Sequence, residues 1–299
     1  MRVVVDTNRL KSVELWGFLS LSPDNRVVLP DYVLMEVVKP GRPEEVRAAF
    51  SILGQFPDQV VVLKGTGDVS ALNPGPEPMA DTMISTDETG AFPEFLHHLQ
   101  QAGQNGPIDE ALRVRAGWAN EQMDRMLAGF ADMAPAMEEF QAPFTTAELR
   151  LIRQEAEFTP DMTAKFFGLA VSMAERVFEV RTELAKPSQE RRPDHYVFRH
   201  SLAYAVYMMS KVRAGARNWS GKVARNDVID IMLAVYGTYF DGVMSHDRLT
   251  GEVFTITRDL LERTGVSVGR DYWADYGGQV LDFLGAQDES ATFGGAEYP

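Results

Sequence analysis

Hydrophobic and polar positions run in blocks along the chain, and the period changes from block to block. Val3, Val4 and Val5 form a short β-branched run, the pattern of a strand buried in a parallel sheet. It ends at Asp6-Thr7-Asn8, residue types that favour helix starts, and a helical pattern through Leu10, Val13, Leu15, Trp16 and Leu19 follows until Pro23. Val27-Val28-Leu29 predicts a second strand, ended by Pro30. Asp31 is placed to cap the next helix, which runs through Tyr32, Leu34 and Glu36 to Lys39 and is closed by Pro40-Gly41. A helix from Pro43 to Leu53 and a strand from Val60 to Leu63 complete a βαβαβ-like block. Such a block predicts a parallel sheet covered on both faces.

Residues 66–88 carry Gly, Pro, Asp and Ser with little periodicity and read as a loop or mobile linker. From Phe92 to Ser210 the patterns are helical, clearest over 108–140, 145–157, 160–186 and 195–210, with no convincing strand. The α/β character then returns. Asp227 to Tyr236 is a helix opened by Asp227 and Asp230, Gly242-Val243-Met244-Ser245 is a short strand ending in His246-Asp247, and Glu252 to Arg263 is a helix. The expected organisation is an α/β core from 1–65 and 221–285, a mostly helical insertion over 66–220, and a frayed tail over 286–299.

Charge changes this picture in one region. The chain of 299 residues has 29 Lys and Arg against 43 Asp and Glu, a net charge of −14. This argues against a protein that coats nucleic acid through general basicity. Residues 66–141 hold 13 acidic and 3 basic residues, so they carry much of that excess. The absence of cysteine removes disulfides, thiolate zinc sites, iron–sulfur clusters and a cysteine nucleophile. Asp6 interrupts the N-terminal valines, so no secretory signal is expected there. No window reaches the ~18 apolar residues of a membrane span, and the expectation is a soluble cytoplasmic chain with no membrane partner.

The candidate chemistry lies in the acidic residues. Asp6 ends the first strand, Glu36 lies in the helix after the second, Asp227 and Asp230 lie in the helix before the last strand, and Asp247 follows that strand. In an open parallel sheet the strand C-termini and following helix starts share one edge, where ligands bind. Each residue alone has a plainer role: Asp6, Asp227 and Asp247 suit helix caps, and Glu36 suits a solvated helix face. Together their carboxylates would repel one another unless a cation neutralised them. All-oxygen ligands point to Mg²⁺ or Mn²⁺ rather than zinc.

VVVDTN, Glu36, Asp230-Ile-Met-Leu-Ala and Val243-Met-Ser-His-Asp247, in this order, resemble the PIN-domain nucleases. The resemblance covers residues 1–65 and 223–280 and implies a three-layer α/β/α fold with a central mainly parallel sheet. It also implies metal-dependent phosphodiester hydrolysis, usually of RNA; the resemblance fixes the scissile bond and not the strand, so single-stranded DNA stays open as a substrate. Asp6, Glu36, Asp230 and Asp247 then match the acidic positions, and Asn8 and Ser245 the polar accessory ones. Asp227 and Asp230 lie 20 and 17 residues before Asp247. They share a helix face, so both are candidate ligands, Asp230 first by its better-matching context. The 66–220 insertion departs from the family pattern.

Lys211, Arg213, Arg217, Lys222 and Arg225 fall in a stretch without acids that also holds Trp219. It reads either as an arm that grips phosphates, with Trp219 stacking on a base, or as a solvated connection with Trp219 in the core. The five histidines, His246 included, show no metal spacing, and the methionines suit core packing. Asp241 precedes the last strand and reads as a turn residue. A haloacid-dehalogenase-like phosphatase would want an Asp where Asn8 stands. A dinucleotide fold would want a glycine-rich turn after the first strand, and a receiver domain an acidic pair. The competing expectation is a catalytically silent PIN-like module whose acidic insertion docks a protein partner. A combined form is a nuclease held inactive by an inhibitory partner, or switched on by an activating one, as in toxin or phage-defence effectors, with homo-oligomers a further option.

Overall fold

The computed structural model describes residues 1–101, 106–128, 134–215 and 221–291. It is a mixed α/β, mostly helical structure around one all-parallel sheet of four strands: β1 (Arg2–Val5), β2 (Arg26–Leu29), β3 (Val60–Val62) and β4 (Val243–Met244), in the order β3-β2-β1-β4. Val3 pairs with Val27, Val27 with Val60, and Val5 with Met244. Successive strand side chains point to opposite faces, yet every residue from Val3 to Val5, Val27 to Leu29 and Val60 to Val62 is buried. β-branched residues therefore suit both sides of these strands.

Between β1 and β2 runs α1 (Val13–Leu21). Between β2 and β3 run α2 (Asp31–Val38) and α3 (Pro43–Ala49). The long connection from β3 to β4 holds α4 (Thr66–Ala71), α5 (Met79–Thr82), α6 (Thr86–Gln101), α7 (Pro107–Ala128), α8 (Ala134–Gln141), α9 (Thr146–Arg153), α10 (Pro160–Val180), α11 (Tyr196–Arg213) and α12 (Gly221–Gly237). After β4 come α13 (Arg248–Arg263) and α14 (Tyr272–Ala291). One hydrophobic cluster joins the strand valines to α11, α12 and α13 through Leu202, Leu233 and Val253. No helix among the described residues is long and apolar enough to cross a membrane.

Several expectations need correction. The residues after β1 form a 3-10 turn (Thr7–Arg9), and α1 begins only at Val13, where Ser12 Oγ accepts from Leu15 N at 3.2 Å. Asp31 is the first residue of α2 rather than its cap, and its carboxylate turns to Thr66 instead, accepting from Thr66 N and Oγ1, each at 2.7 Å. That contact helps order the segment expected to be a loop: residues 66–88 contain α4, α5 and the start of α6, and Leu63 bridges to Ile84. The helix from Pro43 stops at Ala49, and the pattern over 108–140 is two helices, α7 and α8.

The last helices are also longer than expected. Asp227 and Asp230 lie inside α12, which starts at Gly221 because Lys, Val, Ala and Arg tolerate helix. The expected tail is occupied as far as Ala291 by α14, whose Tyr272 and Val280 are buried. Tyr272 packs edge-on against Phe18 of α1, and its hydroxyl donates to Glu14 at 2.9 Å. Asp241 is the turn residue expected, accepting from Arg2 N at 2.7 Å. The next residue, Gly242, holds φ at +118°, where a side chain would be strained and would meet the Tyr272 ring. Its carbonyl accepts from Val4 N at 3.0 Å, so this turn brings β4 beside β1.

Candidate functional site

The chain leaves β1 toward β2 on one side and returns as β4 on the other. The crevice beyond the C-terminal ends of β1 and β4 is therefore the point where strand order reverses, the place where open α/β sheets bind ligands. Asp6 sits there, buried, directly after the last valine of β1. Its Oδ2 accepts from Asn8 Nδ2 and from Ser245 Oγ, both at 2.6 Å, and its Oδ1 from Thr7 Oγ1 at 3.2 Å. Asn8 also ties down the β4 end, since its Oδ1 accepts from His246 N at 3.1 Å. Asn8 and Ser245 thus both attach to Asp6.

Asp247 follows on the same turn and caps α13. Its Oδ1 accepts from Leu249 N at 2.7 Å, and its own amide donates to Ser245 Oγ at 2.9 Å. The capping role and placement at the crevice coexist, because a capping carboxylate still has lone pairs to spare. Glu36, on an exposed face of α2, is linked to Asp6 through Thr7, whose hydroxyl also donates to Glu36 Oε2 at 2.9 Å. Desolvation on its protein side raises the Glu36 carboxyl above its ordinary range; the Thr7 bond opposes this and the charge of Asp6 adds to it.

Asp230 and Asp227 have separate fates. Asp230 is half-buried, and its Oδ1 accepts from Thr250 Oγ1 at 3.0 Å. Its pKa is pushed up to about 7, first by desolvation and then by the charge of Asp247, with smaller contributions from Asp6 and Asp227 against the Thr250 bond. Asp230, Asp247 and Asp6 therefore share one electrostatic neighbourhood. Asp227 is buried one turn earlier, and its Oδ2 takes the Tyr207 hydroxyl at 2.7 Å and Lys211 Nζ at 2.9 Å. A carboxylate held by a cation and a phenol is already neutralised. This favours Asp230 over Asp227 as the third acidic position.

Of the basic stretch, Lys211 and Arg213 have described side chains, and Lys211 is compensated rather than free. Lys211 pairs with Asp227, and Arg213 lies over the Phe158 ring at 5.9 Å. Arg217 and Trp219 lie outside the described residues, and Lys222 and Arg225 fall in the first turns of α12.

Among the described residues no group of three or more His, Asp or Glu side chains is arranged to hold a metal ion. Hydroxyl side chains hydrogen-bond to these carboxylates. Thr7 lies between Asp6 and Glu36, Ser245 bonds both Asp6 and the Asp247 amide, and Thr250 occupies Asp230. The chemistry of the donor set still suits a hard cation: it is all oxygen, and Asp230 resists ionisation first through desolvation and then through the charge of Asp247.

Thr7 and Thr250 escaped the sequence reading. Thr7 stood beside Asp6 in the motif, but Thr250 had no signal apart from its place one turn into the helix after Asp247. Comparison of the chain with protein-family models, curated proteins and solved structures gives no match.

Proposed function

We propose that the chain is a PIN-like, metal-dependent nuclease that hydrolyses phosphodiester bonds in RNA or single-stranded DNA. On this reading the sheet and its flanking helices form a three-layer α/β/α core, and residues 66–220 a helical insertion. One observation carries it: Asp6, Glu36, Asp230 and Asp247 come from four separate parts of the chain to the β1–β4 crevice, where desolvation and then the charge of Asp247, with a smaller contribution from Asp6, push Asp230 up to about 7.

Asp6, Glu36, Asp230 and Asp247 would hold Mg²⁺ or Mn²⁺. When bound, such a cation would neutralise the carboxylates and the charge developing on a phosphodiester. The chain's own residues do the positioning. Asn8 and Ser245 fix Asp6 through one oxygen, and the α13 cap fixes Asp247.

Cleavage of RNA and of single-stranded DNA, assayed side by side with Mn²⁺, with Mg²⁺ and in EDTA, tests the reading. Cleavage that needs the cation is the expected result, and full activity in EDTA overturns it. A second reading, a silent PIN-like module docking a protein partner, draws on the hydroxyls that hydrogen-bond to the carboxylates. Absence of both Mn²⁺ binding and cleavage would favour that module.

A further inference from the structure

A cleft of about 510 Å³ opens between α10, α11 and α13. Phe166, Phe167, Val206 and Leu260 give it apolar walls, and Arg213 and Arg263 reach its edge. Leu260 lies thirteen residues along α13 from Asp247, ~20 Å at the helical rise, so the cleft is separate from the carboxylate crevice. Its size and lining are those of a small-molecule site, mostly apolar with a few polar groups that orient the ligand.

The arginines say what the ligand carries. Arg263 is held by Asp259 on its own helix at 3.0 Å. Arg213 has a buried Nε with no hydrogen-bond partner among the described residues, although its guanidinium rests over Phe158. No acidic side chain among the described residues pairs with this guanidinium, and an anionic head group in the cleft would supply that partner. Glu157, also on the edge, disfavours a polyanion such as a nucleic acid strand. We propose that this cleft binds a small amphipathic monoanion, its acyl-like body against the phenylalanines and its carboxylate or phosphate head on Arg213. The assignment does not use the crevice carboxylates on which the nuclease reading rests, and it is read by binding rather than by cleavage.

The test titrates the full chain with dodecanoate, dodecanol and dodecyl phosphate below their aggregation limits, by calorimetry. Dodecanoate should bind saturably, and dodecanol about tenfold more weakly, since a charge-assisted hydrogen bond is lost. A tighter dodecyl phosphate would identify a phosphate head and a weaker one a carboxylate, either supporting the site. Arg213→Gln should lower dodecanoate affinity about tenfold without changing dodecanol, while Arg213→Lys retains part of the preference. Leu260→Trp, at a half-buried position, should weaken every ligand by filling the cleft, with circular dichroism confirming the fold. No saturable binding, equal affinity for dodecanoate and dodecanol, or binding indifferent to both Arg213→Gln and Leu260→Trp overturns the proposal.

Discussion

Ser245 Oγ donates to Asp6 Oδ2 at 2.6 Å, joining residues 239 apart in sequence across the β1–β4 crevice. The same hydroxyl accepts from the Asp247 amide. Ser245→Ala should therefore loosen two carboxylates together. It should cost about 1–2 kcal/mol of stability and about tenfold in cation affinity. Urea unfolding and Mn²⁺ calorimetry measure the two. A variant with unchanged Mn²⁺ affinity would remove Ser245 from the site.

Asp6→Asn and Asp247→Asn should each lower cleavage by about 10²-fold or more while the fold persists. Asn caps helices about as well as Asp, so the α13 cap survives Asp247→Asn. Asn at position 6 keeps an oxygen for Asn8 and Ser245. Loss of the circular dichroism signal along with activity would leave the site assignment without support.

Asp230→Asn should abolish cleavage, whereas Asp227→Asn should act mainly on stability. The latter replaces the charged partner of Lys211 and Tyr207, at a cost of about 1–3 kcal/mol. The reverse order of damage to cleavage would make Asp227 the ligand.

Asp230 also gives a pH signature in metal-free buffer. Its carboxyl titrates at about 7 in the folded chain against an ordinary 3.8. Below the lower value it is neutral in both states, so its stabilising contribution is fully present. Between the two values the unfolded chain ionises first, and the contribution is lost as pH rises, by up to ~1.4 kcal/mol per pH unit. The stability of the parent minus that of Asp230→Asn should fall across this window and level off above it. A flat difference in urea titrations refutes the burial of this charge.

His195 predicts the opposite slope. It is fully buried, caps α11 through Nδ1, and its pKa is lowered by desolvation from 6.5 to about 4. The neutral ring's contribution is present above 6.5 and is lost as pH falls toward 4. Relative to His195→Asn, which keeps a capping side chain, the parent should lose stability over that range. Parallel stability curves would show that the ring is hydrated.

The strands and the acidic positions at their ends were legible because each valine run is terminated by a polar residue or proline, which leaves little ambiguity in register. Glu36 and Asp230 were legible only by order and spacing, and their partners Thr7 and Thr250 were not singled out. The pairing that neutralises Asp227 could not be read, because Tyr207 and Lys211 come from a different helix and only packing brings them together. Residues 66–88 looked unstructured because their helices are short and their order comes partly from contacts such as Thr66 to Asp31 rather than from periodicity. Helix α14 was missed because glycine and acidic residues obscure the few apolar positions that meet α1.

The position of β4 has a consequence for synthesis. It is the outer neighbour of β1, yet more than two hundred residues separate them. While the ribosome is still making the helices between, Val3 to Val5 form an open sheet edge, a surface prone to pairing with other chains. Asp6 meanwhile lacks Ser245 and Asp247. A nascent chain, or one cut short before residue 243, therefore has no complete crevice, and the Asp6–Ser245 contact can form only after both strand ends have left the ribosome.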